Sequence, residues 1–129
     1  MRGSVRAAGV ELLSYVGDNA FFAAISTERL NPAALDRVGL LRGVQAIERV
    51  QKLHPMLAQG TVPPWAVVAK TEGDGTTPSE DVVGAYIVFH PDVALDSEGA
   101  ALCTNHSATV RSFLSTINAA VIELPYSQI

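Results

Sequence analysis

Up to His54 the apolar residues recur at helical spacings, between Gly60 and His90 at the spacings of strands, and after Ser107 at helical spacing again. Ser4 is placed to cap a helix in which Val5, Leu12, Leu13 and Val16 share a side, and Gly17 sits where a left-handed residue ends such a helix. The patch Phe21, Phe22, Ala23, Ala24 and Ile25 is too short to classify by period. Asn31 before Pro32 is a strong helix start. From there Leu35, Val38, Leu41, Val44, Ile47, Val50 and Leu53 recur every third residue. A period of three drifts around a 3.6-residue helix, so the segment is either apolar on more than one side or broken near Gly39 and Gly43. Pro55 disfavours helical backbone at His54, where the helix is expected to stop.

Pro63 and Pro64 exclude a helix, and Trp65 to Lys70 reads as a strand. Val82 to Phe89 reads as the longest strand, with Val83, Ala85, Ile87 and Phe89 on one face and Val82, Gly84, Tyr86 and Val88 on the other. Both faces are apolar, which predicts cover on both sides. Ala100 to Cys103 reads as a further short strand. Val110, Phe113, Leu114, Ile117 and Val121 then follow an amphipathic pattern that predicts a helix over 107–124, closed by Pro125. The expected fold class is therefore α+β. A helical N-terminal half precedes a small sheet, with strands near 65–70 and 82–89, covered by the C-terminal amphipathic helix near 107–124. The expected organisation is a single domain over 1–129.

Composition narrows the function classes. The chain has 129 residues, 48% hydrophobic and 17% charged, which suits a globular domain rather than a disordered one. A net charge of −4 argues against nucleic acid as a partner. No run approaches the roughly 18 apolar residues of a membrane span, and the first residues do not resemble a signal peptide. These features predict no membrane partner and a cytoplasmic or virion location. A single cysteine excludes an internal disulfide. Residues 1–60 carry seven basic and five acidic groups (+2), and residues 61–129 two basic and eight acidic groups (−6), which add to −4. Four of the acids, Glu72, Asp74, Glu80 and Asp81, fall in the loop over 71–81. Opposite charge on the two halves would suit contact between copies.

Reactive side chains are sparse. His54-Pro55 and His90-Pro91 are explained as element boundaries. The one constellation with chemical potential is His90, Asp92, Cys103 and His106, since a thiolate needs a nearby base and zinc needs three or four converging ligands. Lys70 would become reactive if desolvated at a pocket or interface. The loop from Glu72 to Thr77 alternates oxygen ligands as a calcium loop does. Val83 stands where that loop needs its bidentate acid, so calcium is not expected. No cofactor-binding or metal motif is present, and none is predicted.

Three local likenesses accompany this reading. AQGTVPPWAVVAKTEGDG, which contains Lys70, resembles the lysine-bearing segment of ring-opening amidohydrolases, where the lysine activates a serine. The serine segment of that family is absent here. RGVQAIERV, GTVP, VVGAYIVFHP and NHSAT together look like parts of the formaldehyde-activating enzyme family, without its early catalytic histidine. The layout of 65–124 is similar to small neck and tail-terminator subunits of tailed phages. None of the three carries a complete motif, so none identifies a family. The expected function is a non-catalytic structural subunit of a homo-oligomeric assembly, such as a virion neck, tail or shell, whose partners are copies of itself and other assembly subunits. The alternative is a small enzyme using Lys70 or a centre drawn from His90, Cys103 and His106.

Overall fold

Asp18 and Asn19 take positive φ, 46° and 63°, a region that Asp and Asn enter more readily than other non-glycine residues. They form a two-residue loop of the type I′ kind, closed by the pair Gly17 and Ala20. The loop joins β1 (Val10–Gly17) to β2 (Ala20–Ile25) in an antiparallel hairpin. The computed structural model describes residues 2–39, 41–73 and 78–129, and the chain divides into two compact units, Met1–Ala46 and Ile47–Ile129.

In the first unit, α1 (Arg2–Ala7) packs on β1 and on α2 (Pro32–Val38). The Asn31 side chain accepts a hydrogen bond from Ala34 N at 3.1 Å with Pro32 beside it, which is why α2 starts there. Gly39, at φ 63°, ends it. Val5, Ala8 and Val10 are the buried apolar residues of this unit among the described residues. Tyr15 and Phe21, opposed across the hairpin, hold their rings 5.1 Å apart, and the Arg2 guanidinium lies 5.6 Å from the Phe21 ring.

This overturns the expected helical N-terminal half. The helix expected from Ser4 is only the six-residue α1, which runs from Arg2 to Ala7, and Val10–Gly17 is a strand. Gly17 precedes a hairpin turn instead of capping a helix. The period-three run is broken where its drift allowed: α2 stops at Val38 before Gly39, and residues 41–48 have no regular structure. Leu40 lies outside the described residues. A short α3 (Arg49–Lys52) follows, with a reciprocal capping box between Glu48 and Gln51. His54 begins an element: its Nδ1 accepts from Met56 N at 3.3 Å, and Pro55 opens α4 (Pro55–Ala58).

The second unit is built on a four-stranded antiparallel sheet in the order β3-β4-β6-β5. Its strands are β3 (Val67–Lys70), β4 (Asp81–Val88), β5 (Thr109–Leu114) and β6 (Ala119–Pro125). The strands expected near 65–70 and 82–89 are thus β3, entered through a 3-10 turn at Pro64–Ala66, and β4. The C-terminal amphipathic helix over 107–124 is absent; β5 and β6 occupy that stretch. Its apolar spacing fits a helix because the 3-10 turn Ser115–Ile117, followed by Asn118 at φ 50°, interrupts two strands. Phe113 and Ile117, expected in a buried stripe, are 41% and 56% exposed. The helix of this region is instead α5 (Ala100–Asn105), where a short strand was expected.

Register decides which side of the sheet is core. Val83, Ala85 and Ile87 stand opposite Leu124, Ile122 and Ala120, and this inner face packs with Cys103 of α5, Ala108, Val110 and Phe89. The outer face carries Val82, Gly84, Tyr86 and Val88 opposite Pro125, Glu123, Val121 and Ala119. The expected second cover is not supplied there: Tyr86 and Val88 are 71% and 67% exposed. No helix among the described residues is long and apolar enough to cross a membrane.

Candidate functional site

Lys70 and Asp81 are directly opposed on β3 and β4, with Nζ 3.2 Å from the carboxylate. The lysine side chain is largely exposed. Desolvation is what would make a lysine nucleophilic, and this side chain stands in water beside a carboxylate. Cys103 is buried on the inner side of α5, and desolvation pushes its thiol above the ordinary range, although a backbone hydrogen bond pulls the other way. A thiol so placed is a packing group rather than a nucleophile.

The other members of the expected constellation sit at element ends, His106 on the same helix as Cys103. His106 is exposed at the end of α5, and Asp92 is exposed on the turn after β4. His90 is half-buried, and its carbonyl accepts from Asn118 Nδ2 at 2.9 Å, so it belongs to a turn clamp that also includes the Val93 carbonyl at 3.2 Å. Among the described residues no three His, Cys, Asp or Glu side chains converge as metal ligands.

Two acids of the loop over 71–81 are used within their own unit. The Glu80 carboxylate accepts from Ser127 N and Oγ at 3.2 and 3.1 Å, and Asp81 meets Lys70. Thr71 and Glu80 close the loop base through Thr71 N to the Glu80 carbonyl and Glu80 N to Thr71 Oγ, both 2.9 Å. Residues 74–77, including Asp74 and most of the alternating oxygen pattern, lie outside the described residues.

The first unit has a shallow cleft of about 380 Å³ between the end of α1, the open end of the hairpin and the turn before α2. Arg6 and Glu11 on its wall pair with each other at 3.7 Å, and both are well exposed. Such a pair contributes little to stability.

The surface with the strongest chemical character is the outer face of the sheet. Gly84 has no side chain, and Val68 of β3 fills the space above it; a Cβ at Gly84 would lie 3.0 Å from Val68 Cγ1. The Ala66 carbonyl comes over the same glycine, at 3.8 Å from that position, and brings up the 3-10 turn that carries Trp65. Trp65 is 81% exposed and Val68 52%. Tyr86, Val88 and Val68 place apolar and aromatic surface on one side of β3 and β4, and Trp65 is exposed on the turn that leads into β3. On β5 and β6 the same side carries the ion pair of Arg111 and Glu123. Trp, Tyr and Arg are the residues that most often carry the binding energy of protein interfaces. Sequence alone identified the apolar pair Tyr86 and Val88. It missed Val68 and Trp65, whose place depends on Gly84 and on a turn that the pattern read as strand.

The hydrogen bond from Arg111 holds the Glu123 carboxyl below the usual glutamate range, against the opposing effect of desolvation. The stabilisation it gives is therefore present above that range and lost as pH falls through the lowered value. Side-chain carboxyl NMR should show Glu123 titrating below ordinary glutamates, and Arg111→Ala should return its midpoint upward.

Residues 1–51 match a family described as a domain of unknown function, DUF8729. The matched segment contains the whole first unit and stops five residues after its boundary at Ala46. No curated protein matches the chain, and no solved structure matches it.

Proposed function

We propose that this chain is a non-catalytic structural subunit of a homo-oligomeric assembly of the ring or shell kind, as in a virion neck, tail or capsid. The observation that carries this reading is the outer sheet face of the second unit, where Tyr86, Val88 and Val68 are exposed, with Trp65 exposed on the turn that leads into β3. Contiguous apolar surface on a sheet is costly in water and is the usual mark of a contact face. A second copy offers the same face, apolar in the middle and with its flanking charges already paired as Arg111 and Glu123. Two such faces meet without burying an unpaired charge. The enzyme alternative draws no comparable support, because Lys70 is solvated and paired, Cys103 is buried, and no three His, Cys, Asp or Glu side chains converge among the described residues.

Sedimentation velocity at micromolar concentration tests the proposal. The wild-type chain should sediment as an oligomer, and Tyr86→Lys should shift it to smaller species with unchanged far-UV circular dichroism. A wild-type monomer at every concentration would refute the reading.

A further inference from the structure

We infer that β2 pairs edge to edge with β2 of a second copy, so that two hairpins form one continuous four-stranded antiparallel sheet. This rests on the homo-oligomer reading and names a contact for it in the first unit.

The two edges of the hairpin differ. Both register shifts place the extra residues on β1: Leu13 and Ser14 against the single Phe22, and Val16 between pairs that are consecutive on β2. Bulges twist an edge away from further pairing, and β1 also carries Glu11. These are the devices by which proteins blunt an exposed strand. β2 has none of them: Ala-Phe-Phe-Ala-Ala-Ile contains no charge and no proline, and its side of the ladder is regular. Ala20, Phe21, Ala23, Ala24 and Ile25 have β1 as their strand partner and no second strand on the outer edge among the described residues. Backbone groups on such an edge form a template for another strand.

The edge asymmetry favours a second copy as the occupant. Joining the two β2 strands leaves both β1 edges outermost, and those are the blunted ones, so the contact closes on itself after two chains. The uncharged strand meets its own copy without like-charge repulsion. The hairpin benefits too, since two strands alone are marginal in water and a wider sheet is more stable. Antiparallel pairing also brings the start of one strand, preceded by Asp18, toward the end of the other, followed by Arg29. Neither of these side chains has an ion pair within its own chain among the described residues.

The test uses the full chain with Ala23→Lys and, as a second probe, Ala20→Lys. Both positions are exposed in the hairpin, so a lysine there meets solvent in the monomer and a strand in the dimer. Ala23→Thr, which suits a strand, is the control. Mass by light scattering should fall at least twofold for each lysine variant and stay unchanged for the threonine variant. β2 amides, slow to exchange in the wild type, should exchange faster in the lysine variants. An oligomeric wild type whose mass and β2 exchange are untouched by either lysine would overturn the β2 contact while leaving the homo-oligomer reading intact. A monomeric wild type would overturn both.

Discussion

Replacing Ile122 by Ala should remove about 2–5 kcal/mol from the unfolding free energy of the second unit. Ile122 and Val83 are the largest fully buried side chains among the described residues, each only 1% exposed. The buried neighbours in the cluster of Ile122 are mostly small, Ala120, Ala108 and Cys103 with Leu124, while Ile87, Phe89 and Val110 pack against them from partly exposed positions. Small neighbours have little length with which to refill a void, so the loss belongs toward the upper part of that range. Ile117→Ala, on the exposed turn between β5 and β6, removes as many carbons from a side chain that is 56% exposed and should be close to neutral. Native-state hydrogen exchange, read strand by strand, separates the two. Protection should fall across β4, β5 and β6 for the first variant and hold for the second. Equal losses for both would mean that the inner face has been assigned to the wrong side of the sheet.

Gly9→Ala should abolish the fold of the first unit. Gly9 has φ 87°, and a Cβ built on it would lie 2.6 Å from the Arg29 carbonyl carbon, overlap its oxygen and stand 2.9 Å from Leu30 N. These are backbone atoms, so no side chain can move aside. Next to them, Asn31 N bonds the Ala8 carbonyl at 2.9 Å and joins the start of α2 to the end of α1. Positive φ for a non-glycine residue costs of order 1–3 kcal/mol by itself, and the overlap adds the displacement of this crossing. With Val5, Ala8 and Val10 as its buried apolar residues, the unit has little stability in reserve. In an amide NMR spectrum of Gly9→Ala, resonances of residues 2–39 should collapse to random-coil positions. Those of the second unit should remain dispersed.

What was legible in the sequence was the part decided locally. Asn31-Pro32 fixes the start of α2, the prolines before Trp65 fix the change from helix to strand, and the β-branched run of β4 fixes the longest strand. The two hairpins were misread because their apolar residues also fit a helical period over a dozen positions. Only the turns distinguish the alternatives. Asp18-Asn19 between two apolar runs, and Asn118 before Ala-Ala-Val-Ile, are the signals that favoured strands. For the site, two apolar faces on β4 were legible, and which one is exposed was not, since that depends on where α5 packs. Cys103 and His106 share α5 and its end, while His90 belongs to the turn after β4, and the closing helix expected beside them is a hairpin. The edge of β2 was within reach as a six-residue run without charge, although its significance required knowing that both bulges fall on β1.

Cys103 provides a built-in clock for the opening of one unit. It is the single thiol of the chain and is 2% exposed on the inner side of α5, while the first unit contains no cysteine. A thiol-specific reagent can reach it only when α5 lifts from the sheet, so the rate of labelling measures that event and is blind to the hairpin. Because burial raises the thiol's pKa, its contribution to stability is full below the ordinary thiol value and fades as pH rises past it. Labelling should therefore accelerate in alkaline solution by more than the reagent's own pH dependence, and Ile122→Ala should accelerate it further at any pH.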